Sequence, residues 1–129
     1  MIRFLLVLLS ALFVIDAAYA QAKRPLTAAE MQALLGNGLS VSSRDIEGGK
    51  HFTANVNLEP GGRLTGSMNV AGHGKIALNG TWRLQGAQVC RTLGPAQPEV
   101  VCETWLRAGN AKEVTIVVDG KEVSVNRWQ

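Results

Sequence analysis

The sequence predicts an all-β protein, a small antiparallel up-and-down barrel (or sandwich) of about eight strands with one short N-terminal helix. Three observations lead there. Apolar and polar residues alternate with a period of two through most of the chain after Leu39. Turn-forming clusters punctuate that alternation at short intervals. Two cysteines, Cys90 and Cys102, fall on neighbouring predicted strands.

Residues 1–20 stand apart from this pattern. Arg3 supplies an early positive charge, Phe4 to Ile15 is apolar except for Ser10, and Ala18-Tyr19-Ala20 places small residues at −3 and −1 before Gln21. This is the layout of a cleavable secretory signal. The apolar run ends at Asp16, short of the roughly 20 residues that a spanning helix needs. The expected organisation is therefore a signal peptide over 1–20 and a single β domain over 21–129, periplasmic or secreted, with no stable membrane span after cleavage.

Removing residues 1–20 takes away one basic residue, Arg3, and one acidic residue, Asp16, so the net charge of +3 is unchanged. The basic residues are scattered singly. Nucleic-acid binders gather Lys and Arg into a stripe or patch, and without one no nucleic-acid partner is expected. In an oxidising compartment the two cysteines have a single intramolecular pairing. A Cys90–Cys102 disulfide is expected, which removes both as nucleophiles or metal ligands.

Gln21 to Pro25 reads as a loose polar lead-in. Thr27-Ala28-Ala29-Glu30 fits a capping box, with Leu26 and Met31 placed as a hydrophobic staple. Met31, Leu34 and Leu35 form an apolar stripe at helical spacing, and Gly36 or Gly38 ends it. A helix this short has to pack on a sheet end or face.

A first, weaker strand lies near Leu39–Arg44. Phe52, Ala54, Val56 and Leu58 then alternate with polar residues up to Pro60-Gly61-Gly62. Leu64, Gly66, Met68 and Val70 alternate up to Ala71-Gly72-His73-Gly74, and Ile76, Leu78, Gly80, Trp82 and Leu84 follow. Such a meander has one face on a core. Strands over Gln88–Leu93 and Glu99–Arg107 flank a Gly94-Pro95…Pro98 loop. Lys112–Val118 and Lys121–Trp128 flank Asp119-Gly120, a type I′ hairpin signal. With strict pairing from that turn, Val118 faces Lys121, Ile116 faces Val123 and Val114 faces Val125. Glu113, Thr115, Glu122 and Ser124 then fall on the opposite, polar face. Trp128 joins that face, as an exposed contact or a cover over a barrel end. Trp82 falls on the core face.

No catalytic signature emerges. Gly36-Asn37-Gly38 and Gly72-His73-Gly74-Lys75 lack the spacing of nucleotide-binding loops, and no G-x-S-x-G elbow is present. The histidines, His51 and His73, have no ligand-spaced partner, so neither a metal nor another cofactor is expected. Glu99 and Glu103, four apart on a predicted strand, lie about 13 Å apart at 3.3 Å per residue. Glycosidase dyads need roughly 5–9.5 Å. Asn79-Gly80-Thr81 has the form of a glycosylation sequon.

One constellation carries possible recognition chemistry. With Cys90 opposite Cys102, residues Arg91 and Glu103 lie diagonally on one face with Val89, Val101 and Trp105. If that face is outward, Arg91–Glu103 is an exposed cross-strand pair worth under about 1 kcal/mol. If it is inward, the pair and the Trp105 indole form a polar spot in an apolar lumen, suited to orienting a small ligand.

At Gly80-Thr81-Trp82-Arg83-Leu84, Cys90-Arg91-Thr92 and Cys102, the chain resembles small secreted proteobacterial proteins of unknown function. In these an L-T-x-x-E-like helix precedes a meander with a G-T-W-x-[VL] strand and a cysteine pair on adjacent strands. Leu26-Thr27-Ala28-Ala29-Glu30 fits the helix. The resemblance implies a periplasmic or secreted bacterial protein and carries no catalytic residue across. A more distant similarity is to periplasmic metalloprotease inhibitors, small one-disulfide β-barrels that act through an N-terminal plug. Gln21–Pro25 would be its counterpart, although both cysteines here are late and closely spaced.

The function expected is thus a non-enzymatic exported binding protein, a monomer or weak oligomer, with a small ligand or a protein as its partner. The alternatives are an inhibitor acting through the N-terminal tail and, last, a hydrolase with an unrecognised site.

Overall fold

The computed structural model describes residues 22–95 and 97–129; the signal peptide expected at 1–20, and Gln21, lie outside the described residues. Its elements are β1 (Arg24–Pro25), α1 (Ala28–Leu35), β2 (Leu39–Asp45), β3 (Phe52–Leu58), β4 (Arg63–Val70), β5 (Gly74–Gln85), β6 (Gln88–Arg91), β7 (Val101–Arg107), β8 (Glu113–Val118) and β9 (Lys121–Arg127). Strands β2 to β9 pair each with the next, all antiparallel, and β9 pairs back onto β2 through Ser42↔Arg127 to Asp45↔Ser124. The sheet is therefore a closed eight-stranded barrel rather than a sandwich, and closure leaves no open edge along β2 or β9.

The alternation decides the inside. Val41, Ala54, Leu58, Leu64, Leu78, Val89, Trp105, Val114 and Ile116 are buried within the barrel. Outside, β2 to β4 carry rows of short polar side chains, Ser40↔Asn57↔Thr65 and Ser42↔Asn55↔Ser67. Gly66 allows the neighbouring strands to approach: a Cβ there would lie 2.0 Å from the Asn55 carbonyl oxygen, and its φ is +129°.

One end of the barrel is closed by α1. The Thr27 hydroxyl accepts from the Glu30 N–H at 3.2 Å, and the Glu30 carboxylate accepts from the Thr27 N–H at 3.1 Å. These two bonds satisfy donors that a helix start leaves free. Met31 and Leu35 are fully buried against Leu58, Leu64, Trp105 and Val114. Trp82 adds to this end, its indole N–H donating to the Glu59 carbonyl at 2.9 Å.

The lead-in is structured where a loose segment is expected. Arg24–Pro25 forms β1 against Leu106 and Arg107 of β7, and the Leu26 N–H donates to the Trp105 carbonyl at 3.0 Å. The four-residue β6 covers β7 only as far as Thr104. Beyond it the β7 backbone needs other partners, and β1 provides them.

The largest correction concerns the last hairpin. Asp119 and Gly120 take positive φ, as a type I′ turn requires, and Val118 faces Lys121. The register then shifts between Ile116 and Val117: Val117 faces Glu122, but Ile116 faces Ser124 and Val114 faces Asn126. Val123 is thus a bulge residue without a cross-strand partner, and it stands 36% exposed. Bulges bend and twist a strand where a barrel must curve. This one reverses the faces of β9, so Ser124 and Asn126 turn inward and Val125 does not. Trp128 goes with them. It is half-buried against the core at the helix-closed end, with the Arg107 guanidinium 5.3 Å from its ring centroid.

Candidate functional site: the barrel lumen

At the end away from α1 the barrel is a mouth, bordered by the β2–β3, β4–β5, β6–β7 and β8–β9 connections. Below it lies a cavity of about 70 Å³, lined by residues of six of the barrel strands and by Leu93 after β6. At a liquid-water share of roughly 30 Å³ each, the space holds about two water molecules.

The walls differ in chemistry. Phe52, Ala54, Val56 and Leu58 of β3, with Leu64 and Met68 of β4, make one side apolar. Polar groups line the rest: Ser43 of β2, which pairs with Ala54 at the edge of the apolar side, then Ser124 and Asn126 of β9, Arg91 of β6 and Glu103 of β7. Trp105 and Val89 lie towards the floor, above the helix.

Arg91, Glu103 and Trp105 meet in this lumen. The disulfide explains why. Cys90 and Cys102 are directly opposed and bonded, with Cα atoms 3.9 Å apart. Their neighbours Arg91 and Glu103 therefore point to the other face of the sheet, which is the barrel interior. The Arg91 Nε donates to Glu103 Oε2 at 2.8 Å, and the Trp105 Nε1 donates to Glu103 Oε1 at 3.1 Å. Glu103 is 8% exposed and Trp105 1%. Both carboxylate oxygens are thus engaged, and the arrangement differs from an exposed surface pair. The terminal nitrogens of Arg91 make no hydrogen bond to the described residues.

The sequence reading missed the other polar groups. Ser124 and Asn126 are 7% and 8% exposed, yet their side chains, like that of Ser43, make no hydrogen bond to the described residues. All three line the cavity. Their polar atoms open onto the cavity and are not sealed in the packed core; among the described residues the side-chain polar atom that is sealed without a hydrogen-bond partner is Glu59 Oε2. Nothing in the local sequence marks a bulge at Val123, so strict alternation assigns Ser124 to solvent.

The remaining sequence-flagged residues lie elsewhere. His51 pairs with Glu47 in the exposed β2–β3 loop. His73 is exposed in the β4–β5 turn, and Asn79 is exposed on β5. Glu99 precedes β7 in an exposed loop, so it does not share a strand with Glu103. Among the described residues no three His, Cys, Asp or Glu side chains gather as a metal site would. Nor is any described helix long and apolar enough to cross a membrane.

The strongest electrostatic anchor near the mouth is structural. Asp45, 5% exposed, accepts from the backbone N–H of Glu47 at 2.8 Å, His51 at 2.7 Å and Phe52 at 2.9 Å. Burial opposes its ionisation, but the three N–H bonds outweigh that and hold its pKa down at about 2. The loop before Phe52 is fixed by this carboxylate.

Comparison of the chain with protein-family models, curated proteins and solved structures gives no match.

Proposed function

We propose that this protein is an exported, non-enzymatic binding protein whose site is the lumen of its barrel. The observation that carries this reading is the pair Ser124 and Asn126, which turn into the barrel, line a cavity beside Arg91 and Glu103, and make no side-chain hydrogen bond to the described residues. Convergent polar groups on the wall of a largely apolar cavity are the usual means of orienting a small ligand. The Cys90–Cys102 disulfide and the signal-like residues 1–20 support the exported setting. The tail-inhibitor alternative has less support, because Arg24–Pro25 pairs with β7 and Lys23 bonds Thr115 and Glu122, both at 3.1 Å.

The test is a native mass spectrum of the protein recovered after expression of the full chain. A mass beginning at Gln21 and lacking two hydrogens is expected. So is an adduct that disappears on denaturation and is missing from an Arg91→Ala, Glu103→Ala variant. An adduct retained in that variant would place the ligand outside the lumen and sink the reading. Recovery with residues 1–20 intact would remove export.

A further inference from the structure

The chemistry of the two walls goes further than the presence of a site. Resting on the lumen reading above, we infer that the ligand class is a small uncharged molecule with an amide- or hydroxyl-type end and an apolar body.

The charge inside the barrel comes first. Arg91 and Glu103 are the charged residues lining the cavity, and they are bonded to each other, so the lumen is neutral as a unit. An ionised ligand brings a charge with no fresh counter-charge to meet it, and burying an unpaired charge is costly. The Glu103 charge is already matched by the Arg91 guanidinium, so a cation would have to compete with it.

The hydrogen-bonding groups still free are of both kinds. Arg91 keeps its terminal N–H donors. The Asn126 amide donates and accepts, and the Ser43 and Ser124 hydroxyls do either. This set matches a group that also donates and accepts, such as a carboxamide or an alcohol. Depth limits what enters: a space of about 70 Å³, roughly two waters' worth, fits an amide or hydroxyl end and leaves the apolar body towards the mouth.

The rest of such a molecule has an apolar surface waiting for it. Phe52 and Met68 are half-buried on the β3–β4 wall. The residues Ile46, Ile76, Val100 and Val123, exposed large hydrophobics, all fall on strand ends or connections at the mouth. The Ile46 N–H donates to the Val123 carbonyl at 3.0 Å, which joins two of them into one patch. The helix-closed end has no counterpart among the exposed large hydrophobics.

Four probes of one shape separate the possibilities: benzamide, benzoate, benzamidinium and toluene. Each would be titrated into isotope-labelled protein while the Trp105 indole N–H and the Asn126 side-chain amide are followed by NMR. Benzamide is expected to shift both signals saturably, with affinity at least about tenfold above the other three, which corresponds to about 1.4 kcal/mol. An Asn126→Leu variant, checked for a native spectrum, is expected to lose the preference for benzamide over toluene. If that variant does not fold, Ser124→Ala with the same four probes makes the test.

Tighter binding of benzoate or benzamidinium would overturn the inference while leaving the lumen as the site. Toluene binding as well as benzamide would overturn it too, by showing that the polar wall is not read. Silence from all four probes, with no adduct in the native spectrum, would overturn both the inference and the lumen reading.

Discussion

Arg91 on β6 and Glu103 on β7 are joined across the inside of the barrel by a 2.8 Å hydrogen bond, one residue beyond the disulfide that joins Cys90 to Cys102 on the opposite face. The covalent cross-link and the ionic one thus brace the same two strands from outside and inside. They act on different states, since a disulfide mainly restricts the unfolded chain whereas the ion pair exists only in the folded one.

The ion pair has a testable energetic signature. Arg91→Met leaves the Glu103 carboxylate buried with only the Trp105 N–H, and is expected to cost about 2–3 kcal/mol, below the range for fully buried pairs because the Arg91 side chain is 21% exposed. The double variant Arg91→Met, Glu103→Leu removes the orphaned charge and is expected to be less destabilised than the sum of the two single changes. Urea unfolding of the three variants measures this. Strictly additive costs would mean that the two groups do not act as a unit.

The disulfide closes a segment of 12 residues in sequence separation. Its loss through Cys90→Ala, Cys102→Ala is expected to cost about 3 kcal/mol, which for a domain of this size lowers Tm by roughly 10–20 °C. Calorimetry with and without reductant should give the same difference in the unaltered protein.

Acid should loosen the β2–β3 loop in a defined window. The Asp45 pKa of about 2 lies below the usual carboxylate value of 3.8 found in an unfolded chain. Its contribution is therefore present in full above about pH 4 and is lost as pH falls through about 2. Asp45→Asn is expected to be less stable than the unaltered protein at pH 7, and the gap between them should close towards pH 2. Glu30, held at about 2 chiefly by its hydrogen bond from Arg24, titrates in the same range, so the comparison must be made between the two proteins. A gap that stays constant with pH would show that the Asp45 charge does not hold the loop.

Gly66 is a backbone position that both sterics and conformation close to a side chain. Alanine there would combine a φ of +129° with a Cβ 2.0 Å from the Asn55 carbonyl oxygen, so β3 and β4 must separate. Gly66→Ala is expected to cost at least about 3 kcal/mol, whereas Gly72→Ala, in a turn with open space around its Cβ, should cost about 1 kcal/mol from its positive φ alone. Comparing their denaturation midpoints checks both.

Much of this molecule can be read from local chemistry. Period-two alternation sets the strands, Asp119-Gly120 turns the last hairpin, and two cysteines alone in the chain pair with each other. These follow from interactions within a few residues or from counting. The direction in which Arg91 and Glu103 point does not, because β6 and β7 place Val89 and Arg91 on one face and Cys90 on the other, and hydropathy does not choose between those faces. The inside was decided by β9 pairing back onto β2. The bulge at Val123 arises in the same way: local alternation favours an unbroken hairpin with Val123 opposite Ile116, whereas curvature at the barrel mouth favours an extra residue. That one residue carries Ser124 and Asn126 from solvent into the lumen. The sequence by itself determined the strands, the turns and the cross-link; the closed tertiary structure decided which polar groups the barrel holds inside, because closure is a property of all eight strands at once.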